Sequence, residues 1–414
     1  MQTHLAPQYR DTPEGREAEA ILRSCVHCGF CTATCPTYQL LGDELDGPRG
    51  RIYLIKQVFE GAAVTAKTQL HLDRCLTCRN CETTCPSGVR YGRLVDLGRK
   101  VVEDRVGRAP ADAARRWTLR HGLKSKSLFG GALALGRLAK AFVPEPVARA
   151  IPASRPAGAW PAPRHTRRML VLQGCVQPSL APSIDAALAR VLDRVGVSAV
   201  PAAAGGGCCS ALDYHLNDHD AARAIARANI DAWWPAIEAG AEAIVVTASG
   251  CGVMVKDYGH LFANDPAYSD RATRVAALAR DTIEVVAPEW SKIAPLLAMD
   301  LGPLRVAFHP PCSLQHGMKI RGEVEEILRA IGHELLPVAD AHLCCGSAGT
   351  YSILQSELAT TLKRNKLQAL EAHRPQVIAS ANIGCMTHLA SGTSKPVRHW
   401  IELLDERMMR APRS

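Results

Sequence analysis

Apolar and polar positions recur with two different periods along the chain. Before residue 113 apolar residues stand at helical spacing, as after Pro48, where they share one face at Ile52, Ile55, Val58 and Phe59. After residue 168, short apolar runs of strand length, such as MLVLQ, alternate with amphipathic stretches, such as SIDAALARVLDRVG. This pattern predicts a helical N-terminal part followed by α/β structure.

The α/β part contains an internal repeat. Each half runs from a strand to a cysteine, then to a Cys-Cys pair, and then through EAIVVTASGCG or QVIASANIGCM to a fourth cysteine. Matching cysteines lie 134 to 137 positions apart: Cys175 and Cys312, Cys208 and Cys344, Cys209 and Cys345, Cys251 and Cys385. We therefore predict two related lobes on parallel sheets, with the cysteines at the carboxyl ends of strands.

The basic charge of the chain is concentrated in residues 113–168. This segment has twelve Lys or Arg and one acid, Glu145, whereas the whole chain has a net charge of +9. Since no stacking aromatics are interleaved, we expect no nucleic-acid partner, and instead a docking strip for an acidic partner or an anionic membrane surface. The stretch from Leu128 to Phe142 fits either an amphipathic interfacial helix or a helix packed on its own protein.

Composition points to an intracellular, thiol-rich protein. The N-terminus has no apolar signal region, and no uninterrupted apolar run of about 18 residues occurs. We therefore expect a cytoplasmic location. In a reducing cytosol, 16 cysteines with many at Cys-x2-Cys spacing are metal ligands or redox groups more often than disulfides.

Two cysteine motifs stand in the helical part: CVHCGFCTATCP at 25–36, the first motif, and CLTCRNCETTCP at 75–86, the second motif. Cys-x2-Cys-x2-Cys-x3-Cys-Pro is the bacterial ferredoxin run, whose fourth cysteine ligates the other cluster in two-cluster ferredoxins. We therefore predict two [4Fe–4S] clusters with exchanged fourth ligands. The first is expected on Cys25, Cys28, Cys31 and Cys85, and the second on Cys75, Cys78, Cys81 and Cys35.

Zinc is the alternative metal for these motifs. A four-cysteine zinc site usually joins two Cys-x2-Cys knuckles across a longer loop, so that the ligands converge from two sides. Four cysteines in eleven residues, followed by proline and duplicated, favour the iron–sulfur pair. The 39 residues between Cys35 and Cys75 contain a predicted helix and favour a helical ferredoxin-like domain.

The cysteines of the repeats form further candidate metal sites. Two adjacent thiolates cannot easily chelate one tetrahedral ion, but they can bridge different irons of a larger cluster. The candidates are Cys175, Cys208, Cys209 and Cys251 in the first repeat, and Cys312, Cys344, Cys345, Cys385 and His388 in the second. Vicinal thiols are also redox-active in some proteins, which leaves catalytic disulfide chemistry open.

The predicted fold class is thus α+β and multi-domain. We place a helical ferredoxin-like domain at 1–112 and a basic linker at 113–168. A first α/β repeat follows at 169–300. A second occupies 301–414 and ends in a C-terminal helix.

Longer stretches narrow the family. The motifs and repeats together resemble iron–sulfur subunits of flavin-linked dehydrogenases that carry the CCG domains of the heterodisulfide reductase family. Within that group, DAWWPAIEAGAEAIVVTASGCG, HLCCGSAGTYSILQ, ANIGCMTHL and VRHWIELLDE are similar to the iron–sulfur subunits of glycolate oxidase. The resemblance extends over essentially the whole chain.

The repeats depart from the heterodisulfide reductase pattern at their ends. In that family each CCG domain ends in Cys-x2-Cys, and five cysteines hold a noncubane cluster. In this chain the last position is Met254 in the first repeat and His388 in the second, and Ser210 follows the first Cys-Cys pair. We therefore expect either a further iron–sulfur cluster in the repeats, with His388 as an additional ligand, or no cluster there.

The resemblance implies an electron-transfer subunit. Flavoprotein subunits with FAD would oxidise glycolate to glyoxylate, and this chain would pass the electrons to an acceptor such as quinone, peripherally on the inner face of the cytoplasmic membrane. No Gly-x-Gly-x-x-Gly after a strand and no Walker loop occurs, so we expect neither flavin nor a catalytic residue in this chain. The alternatives are a subunit of a lactate or glycerol-3-phosphate dehydrogenase, or a thiol–disulfide enzyme.

Overall fold

Helices alone build the first 145 residues, as the sequence pattern predicts. The computed structural model describes residues 1–145, 151–153, 155–202, 207–298 and 300–409, and no strand occurs in the first of these ranges. The helices are α1 (Pro7–Arg10), α2 (Pro13–Ser24), α3 (Pro36–Leu41), α4 (Pro48–Phe59), α5 (Ala66–Asp73), α6 (Asn80–Thr84), α7 (Tyr91–Val106), α8 (Pro110–Lys124) and α9 (Lys126–Leu138). Short 3-10 turns cover Phe30–Thr32, Glu44–Asp46 and Ala139–Phe142.

Helices α2, α4 and α7 enclose the core of this helical domain. The apolar face predicted for α4 is buried, and Ile55 and Phe59 are fully covered. Gly98 of α7 lies against Ile55, because a side-chain carbon at Gly98 would come within 2.6 Å of it. The two helices therefore cross at close range, and the first motif and the second motif lie at their ends.

Two parallel sheets of four strands each follow, with the same order. Strands β1 (Arg167–Leu172), β2 (Val197–Pro201), β3 (Ile244–Val246) and β4 (Ala279–Asp281) form the first sheet in the order β2-β1-β3-β4. Strands β5 (Arg305–His309), β6 (Glu334–Leu336), β7 (Val377–Ser380) and β8 (Val397–His399) form the second in the order β6-β5-β7-β8. Equivalent registers pair Leu170 with Ile244 and Val306 with Val377.

Helices connect the strands within each lobe, as the repeat predicts. The first lobe has Gln177–Leu180, Ser183–Arg194, Ala211–His215, His219–Glu238, Ser249–Lys256, Tyr258–Leu261, Ser269–Leu278, Thr282–Val286 and Trp290–Ile293, with 3-10 turns at Ala287–Glu289 and Ala294–Leu296. The second lobe has a π-helical turn at Ser313–Gly317 and helices Glu323–Ala330, Tyr351–Leu354, Ser356–Glu371, Ile383–Ala390 and Trp400–Met409. In both sheets the strand order reverses beside the first strand, which is where open α/β sheets bind ligands at the carboxyl ends of the strands.

The two lobes share one hydrophobic core. Val171 and Leu188 of the first lobe and Val306 and Trp400 of the second belong to the same buried cluster. The C-terminal helix Trp400–Met409 packs on the first-lobe helix Ser183–Arg194, with Arg190 bound to Asp405 at 2.6 Å. The lobes are therefore halves of one folding unit.

The helical domain contacts both lobes. Asp257 of the first lobe accepts hydrogen bonds from Arg93 at 2.7 Å and from Arg79 at 3.1 Å. On the second lobe, Thr83 lies 2.9 Å from the ring of His316. These contacts fix the second motif against both lobes.

The predicted basic linker is largely helical, because α8 and α9 occupy most of it up to Leu138. Many of its cations have acidic partners within the chain, among them Arg116 with Asp112, Lys124 with Asp213, Arg164 with Asp193 and Arg167 with Glu242. These cations therefore form ion pairs within the chain, and the segment is less of an open basic strip than its charge suggests. The domain boundaries stay predictions.

No described helix is both long enough and apolar enough to cross a membrane. Helix α9 nevertheless buries none of its residues. Its apolar residues at Leu128, Leu135 and Leu138 are 64%, 68% and 78% exposed, and Phe142 beyond it is 89% exposed. These four apolar side chains are therefore exposed on the surface of the structure.

Candidate iron–sulfur and metal sites

The two motifs fold alike, although their residues differ. The third residue of each, His27 or Thr77, has a positive φ of 58° or 51°. The fifth, Gly29 or Arg79, has a φ of 87° or 59°. Left-handed backbone is unfavourable for a β-branched residue such as Thr77 and persists where the surrounding structure imposes it, often at functional sites. Each motif is therefore held as a curled loop that turns its cysteines inward.

The first cavity is lined by the thiols predicted for the first cluster. Cys25, Cys28 and Cys31 of the first motif and Cys85 of the second motif line a solvent-open cavity of about 430 Å³. Cys28 is exposed, whereas Cys25 is buried. The cavity therefore has an open side at Cys28.

The second cavity is lined by the thiols predicted for the second cluster. Cys75, Cys78 and Cys81 of the second motif and Cys35 of the first motif line a solvent-open cavity of about 300 Å³. The backbone N–H of Thr77 donates to the Cys75 sulfur at 3.4 Å. Such N–H groups are the usual partners of cluster sulfurs and help to set the potential of a cluster.

The two cavities adjoin one another. Cys81, Tyr91 and Pro48 line both of them. The residues before the two exchanged cysteines, Thr34 and Thr84, also touch, with their hydroxyl oxygens 3.1 Å apart. This symmetric crossing brings the fourth cysteine of each motif to the cavity of the other.

The thiols favour a cationic occupant. Burial raises the pKa of Cys31 to about 11, and the neighbouring Cys25 adds to this rise. Burial also raises the pKa of Cys78 and of Cys81 well above the ordinary thiol value. Such thiols keep their protons at neutral pH until a bound metal stabilises the thiolates. Cysteine thiols from both motifs line each cavity, and each predicted set of four thiols fits a [4Fe–4S] cluster.

A buried ionic network supports the second cavity. Asp46, fully buried, accepts hydrogen bonds from Arg74 at 2.8 Å and from Arg51 at 3.4 Å. Arg51, itself 1% exposed, lines the cavity and donates to Thr37 at 3.2 Å. Thr37 in turn lies 3.3 Å from the sulfur of Cys35. A removed partner here would leave a buried charge uncompensated, which costs about 3–5 kcal/mol.

The four cysteines of the first lobe also lie together. Cys208 interacts with Cys175 and with Cys209, and Cys209 interacts with Cys251. Interaction with the thiols of Cys175 and Cys209 lowers the pKa of Cys208. Cys208 and Cys209 are 7% and 3% exposed. Both side chains are therefore largely covered in the part of the chain that the structure describes, which gives no support to catalytic disulfide exchange at this pair.

The four cysteines of the second lobe form an equivalent series beside the second cavity. Cys312 and Cys344 have their sulfurs 3.9 Å apart, and electrostatic interaction between the thiols continues from Cys344 through Cys345 to Cys385. Cys78 of the second motif packs in the same small cluster as Cys312 and Cys344. The second lobe therefore brings its thiols directly against the helical domain.

His388 is not the histidine that joins these thiols. Its Nε2 donates to the carbonyl oxygen of Ala359 at 3.2 Å, and burial lowers its pKa to about 4. His388 follows Cys385 by almost one helical turn, which carries it about 4.5 Å further from the strand ends. Instead, His309 lies with Cys345 and Cys385, their ligand atoms all within 4.8 Å of one another.

Sequence reasoning therefore missed His309, although a signal was present. His309 precedes Cys312 by three positions, the same spacing by which His388 follows Cys385. It also missed Arg51 and Tyr91, because a helical residue that lines a cavity looks like any other polar or aromatic residue on a helix. The hydroxyl of Tyr91 donates to the Cys75 sulfur at 3.6 Å.

The chain matches the models of two known domain families. Residues 21–89 match the model of the 4Fe-4S dicluster domain. Residues 169–256 and 306–390 each match the model of the cysteine-rich domain called CCG. The matched ranges contain every cysteine described above.

Several curated proteins are similar to the chain. The glycolate oxidase iron-sulfur subunit of Escherichia coli K12 is 55% identical over 409 residues, which cover 98% of this chain and 99% of that protein. A probable glycolate oxidase iron-sulfur subunit of Bacillus subtilis is 29% identical, over 92% of this chain and 91% of that protein. Lactate utilization protein A of an Exiguobacterium strain is 25% identical over 57% of this chain and 96% of its own length.

Proposed function

Because the chain belongs to the family of glycolate oxidase iron–sulfur subunits, we propose that it is the electron-transfer subunit of a glycolate-oxidising complex. Flavoprotein subunits of the same complex hold FAD and oxidise glycolate to glyoxylate. This chain receives the electrons and passes them to an acceptor such as quinone. The single observation that carries the proposal is the pair of adjoining cavities, each lined by cysteine thiols from both motifs.

We propose the following residues as ligands of two [4Fe–4S] clusters, which supply one-electron transfer when bound. One set is Cys25, Cys28, Cys31 and Cys85, and the other is Cys75, Cys78, Cys81 and Cys35. The geometry supports both sets, because each set lines one cavity. Since Cys81 lines both cavities, the two groups would sit side by side.

The partner that donates electrons is proposed to dock at the open side of the first cavity. Cys28 is exposed there, between Val26 and Phe30, which are 69% and 62% exposed. Exposed apolar side chains beside a redox centre suit contact with another protein, because they allow close approach without a large desolvation cost. A flavoprotein subunit is the occupant that fits an electron-transfer chain.

A second surface is proposed to rest on the inner face of the cytoplasmic membrane. Leu128, Leu135, Leu138 and Phe142 form one apolar stripe on and after α9, and Lys126 and Lys140 flank it. A helix with an apolar face and flanking cations is the usual form of an interfacial anchor. Peripheral attachment would bring the chain close to a quinone dissolved in the bilayer.

The lobes are proposed to hold a further metal or iron–sulfur group. Supporting donors are Cys175, Cys208, Cys209 and Cys251 in the first lobe, and Cys312, Cys344, Cys345 and Cys385 in the second. The second set lies against Cys78, so a group bound there would adjoin the second cavity. The first set has no such contact with the eight motif cysteines in the described clusters of buried residues.

The experiment is anaerobic co-purification of the complex followed by addition of single substrates. We expect flavoprotein subunits to co-purify, and glycolate to bleach both the flavin and the visible absorption of the iron–sulfur groups. Lactate and glycerol 3-phosphate serve as comparison donors. If one of these reduced the centres and glycolate did not, the substrate would be reassigned while electron transfer stood. Zinc without acid-labile sulfide in the chain would overturn electron transfer itself.

A further inference from the structure

The ring of His309 is buried without a polar partner. It is 1% exposed, and neither Nδ1 nor Nε2 has a hydrogen-bond partner among the described residues. An imidazole left in this state costs about 1–3 kcal/mol relative to a satisfied one. The buried ring of His399, by contrast, has partners at both nitrogens: it donates to the carbonyl oxygen of Thr247 at 3.0 Å and accepts from the N–H of Ile401 at 3.2 Å.

The unpartnered ring lies among thiols. One ring nitrogen of His309 and the sulfurs of Cys345 and Cys385 are all within 4.8 Å of one another. Donors bound to one tetrahedral ion at 2.0–2.3 Å are separated by roughly 3.3–3.8 Å. Small side-chain movements would therefore suffice to bring these three atoms onto one metal ion.

The first lobe has a leucine at the position equivalent to His309. His309 is the last residue of β5 and stands three positions before Cys312. Leu172 is the last residue of β1 and stands three positions before Cys175. Leu172 is also buried, at 2% exposed, and packs in an apolar cluster. The fold thus accepts leucine here, so packing alone gives no reason for a histidine.

We propose that His309 is a metal ligand, which completes with Cys345 and Cys385 a three-donor set that the first lobe lacks. Imidazole nitrogen with thiolates selects a borderline-soft metal, either Zn²⁺ or an iron that belongs to a cluster shared with Cys312 and Cys344. The inference rests on the proposal that the second lobe binds metal, and it assigns a donor that the cysteines alone do not supply. The two lobes are then chemically unequal despite their common fold.

The test is metal analysis of the full chain, co-expressed with its partner subunits and purified without oxygen. Two [4Fe–4S] clusters account for about eight irons and eight sulfides per chain. We expect metal beyond these eight irons, as additional iron or as zinc. His309→Leu, which places the first-lobe residue in the second lobe, should lose the part of the additional metal that the second lobe binds, and should keep the eight irons and eight sulfides of the two motifs.

Three matched variants locate the effect. His388→Leu removes another buried histidine of the same lobe, one that bonds a carbonyl oxygen, and should keep the additional metal. Cys385→Ser should lose it as His309→Leu does. Cys251→Ser, the equivalent change in the first lobe, should not affect the second-lobe metal.

A direct measurement on the unsubstituted chain makes the proposal independent of whether the variants fold. With zinc present, X-ray absorption should show a nitrogen neighbour at about 2.0–2.1 Å beside sulfur. With iron present, pulsed EPR should show a nitrogen coupling that changes when histidine is labelled with ¹⁵N.

Either of two results would overturn the proposal: no metal beyond the eight irons, or an unchanged metal content and spectrum in His309→Leu. Neither result bears on reduction by glycolate. A complex whose motif clusters fail to respond to any donor would instead remove the proposed function and leave the metal count as measured.

Discussion

Single residues decide how the motifs close around their cavities. Thr77 and His27 adopt left-handed backbone at equivalent positions, at a cost of order 1–3 kcal/mol each. Arg99 holds the start of the second motif, since its guanidinium donates to the carbonyl oxygens of Cys75 at 2.5 Å and of Leu72 at 2.8 Å. The helices around the loops therefore help to hold their shape.

The exchange of fourth cysteines gives a prediction about iron release. Cys28 at the first cavity is exposed, whereas Cys75 and Cys81 at the second are buried. A strong iron chelator should thus remove iron in two phases of about four irons each, the fast phase from the first cavity. Cys85→Ser should abolish the fast phase although Cys85 belongs to the second motif. Cys35→Ser should abolish the slow phase.

Cys175→Ser in the first lobe is the control and should leave both phases in place. The measurement is the absorbance of the iron–chelator complex against time under anaerobic conditions. Loss of the slow phase in Cys85→Ser would contradict the crossed arrangement, because each motif would then bind its own fourth cysteine.

His399 gives a prediction about pH. Burial lowers its pKa to about 4, against about 6.5 for a free histidine. Between these values the unfolded chain binds a proton that the folded chain refuses, so the free energy of unfolding should fall as the pH drops from about 6.5 towards 4. His399→Gln removes the titration, and a glutamine amide can donate to Thr247 and accept from Ile401. It should lessen the loss between about pH 6.5 and 5 by about 2 kcal/mol.

The measurement is urea unfolding of the anaerobic full chain, followed by far-UV circular dichroism at several pH values in that range. His121→Gln, at an exposed position on α8, is the matched control for a histidine-to-glutamine change away from the buried ring. Parallel curves for His399→Gln and the unsubstituted chain would show that another group dominates the acid range. Asp185 acts in the opposite sense, since burial raises its pKa to about 7.

At the scale of elements, helix α9 is notable because it leaves large apolar side chains exposed. None of its residues is buried, yet three of its four leucines, Leu128, Leu135 and Leu138, form one exposed stripe. Leu135→Asp and Leu138→Asp should weaken binding of the complex to vesicles of anionic phospholipid by roughly tenfold each, because each removes a side chain worth about 1.5–3 kcal/mol of burial. Folding should be unaffected, since both residues are exposed.

Vesicle co-sedimentation with quantified protein measures this effect. Leu70→Asp, at a leucine of α5 that is 42% exposed, is the control and should bind as before. If the α9 variants kept vesicle binding and lost a flavoprotein subunit instead, the stripe would be a protein interface and the membrane proposal would be withdrawn.

Sequence periodicity was sufficient for the elements that repeat or bury a face. Helix α4 lies where the apolar spacing after Pro48 predicts it, and the two lobes follow from the nearly constant separation of cysteines. Contacts between distant parts of the chain have no such signal. The ionic partners of Lys124 and Arg167, and the packing of Cys78 against Cys312, depend on how whole units dock, which local spacing does not encode.

At the scale of the whole molecule, the shared core makes the lobes a single cooperative unit. Trp400 is fully buried in the cluster that spans both sheets. Trp400→Ala should lower the free energy of unfolding by about 3–5 kcal/mol. It should also speed amide hydrogen exchange in β1 of the first lobe as much as in β5 of the second.

Hydrogen–deuterium exchange with mass spectrometry resolves the two sheets. Trp117→Ala, at a tryptophan of α8 that is 58% exposed, is the matched control and should change neither. Faster exchange confined to β5 and its neighbours would show that the lobes open separately despite their common core.

The common core also bears on how the two copies can diverge over generations. A duplicated domain that folds alone is free to be lost once its chemistry is dispensable. Here both copies bury residues in one shared cluster, so a copy without the proposed ligand, with Leu172 in place of His309, is still retained for its packing. Folding therefore favours keeping both lobes. The metal site of one lobe can then change its ligands or lose metal binding.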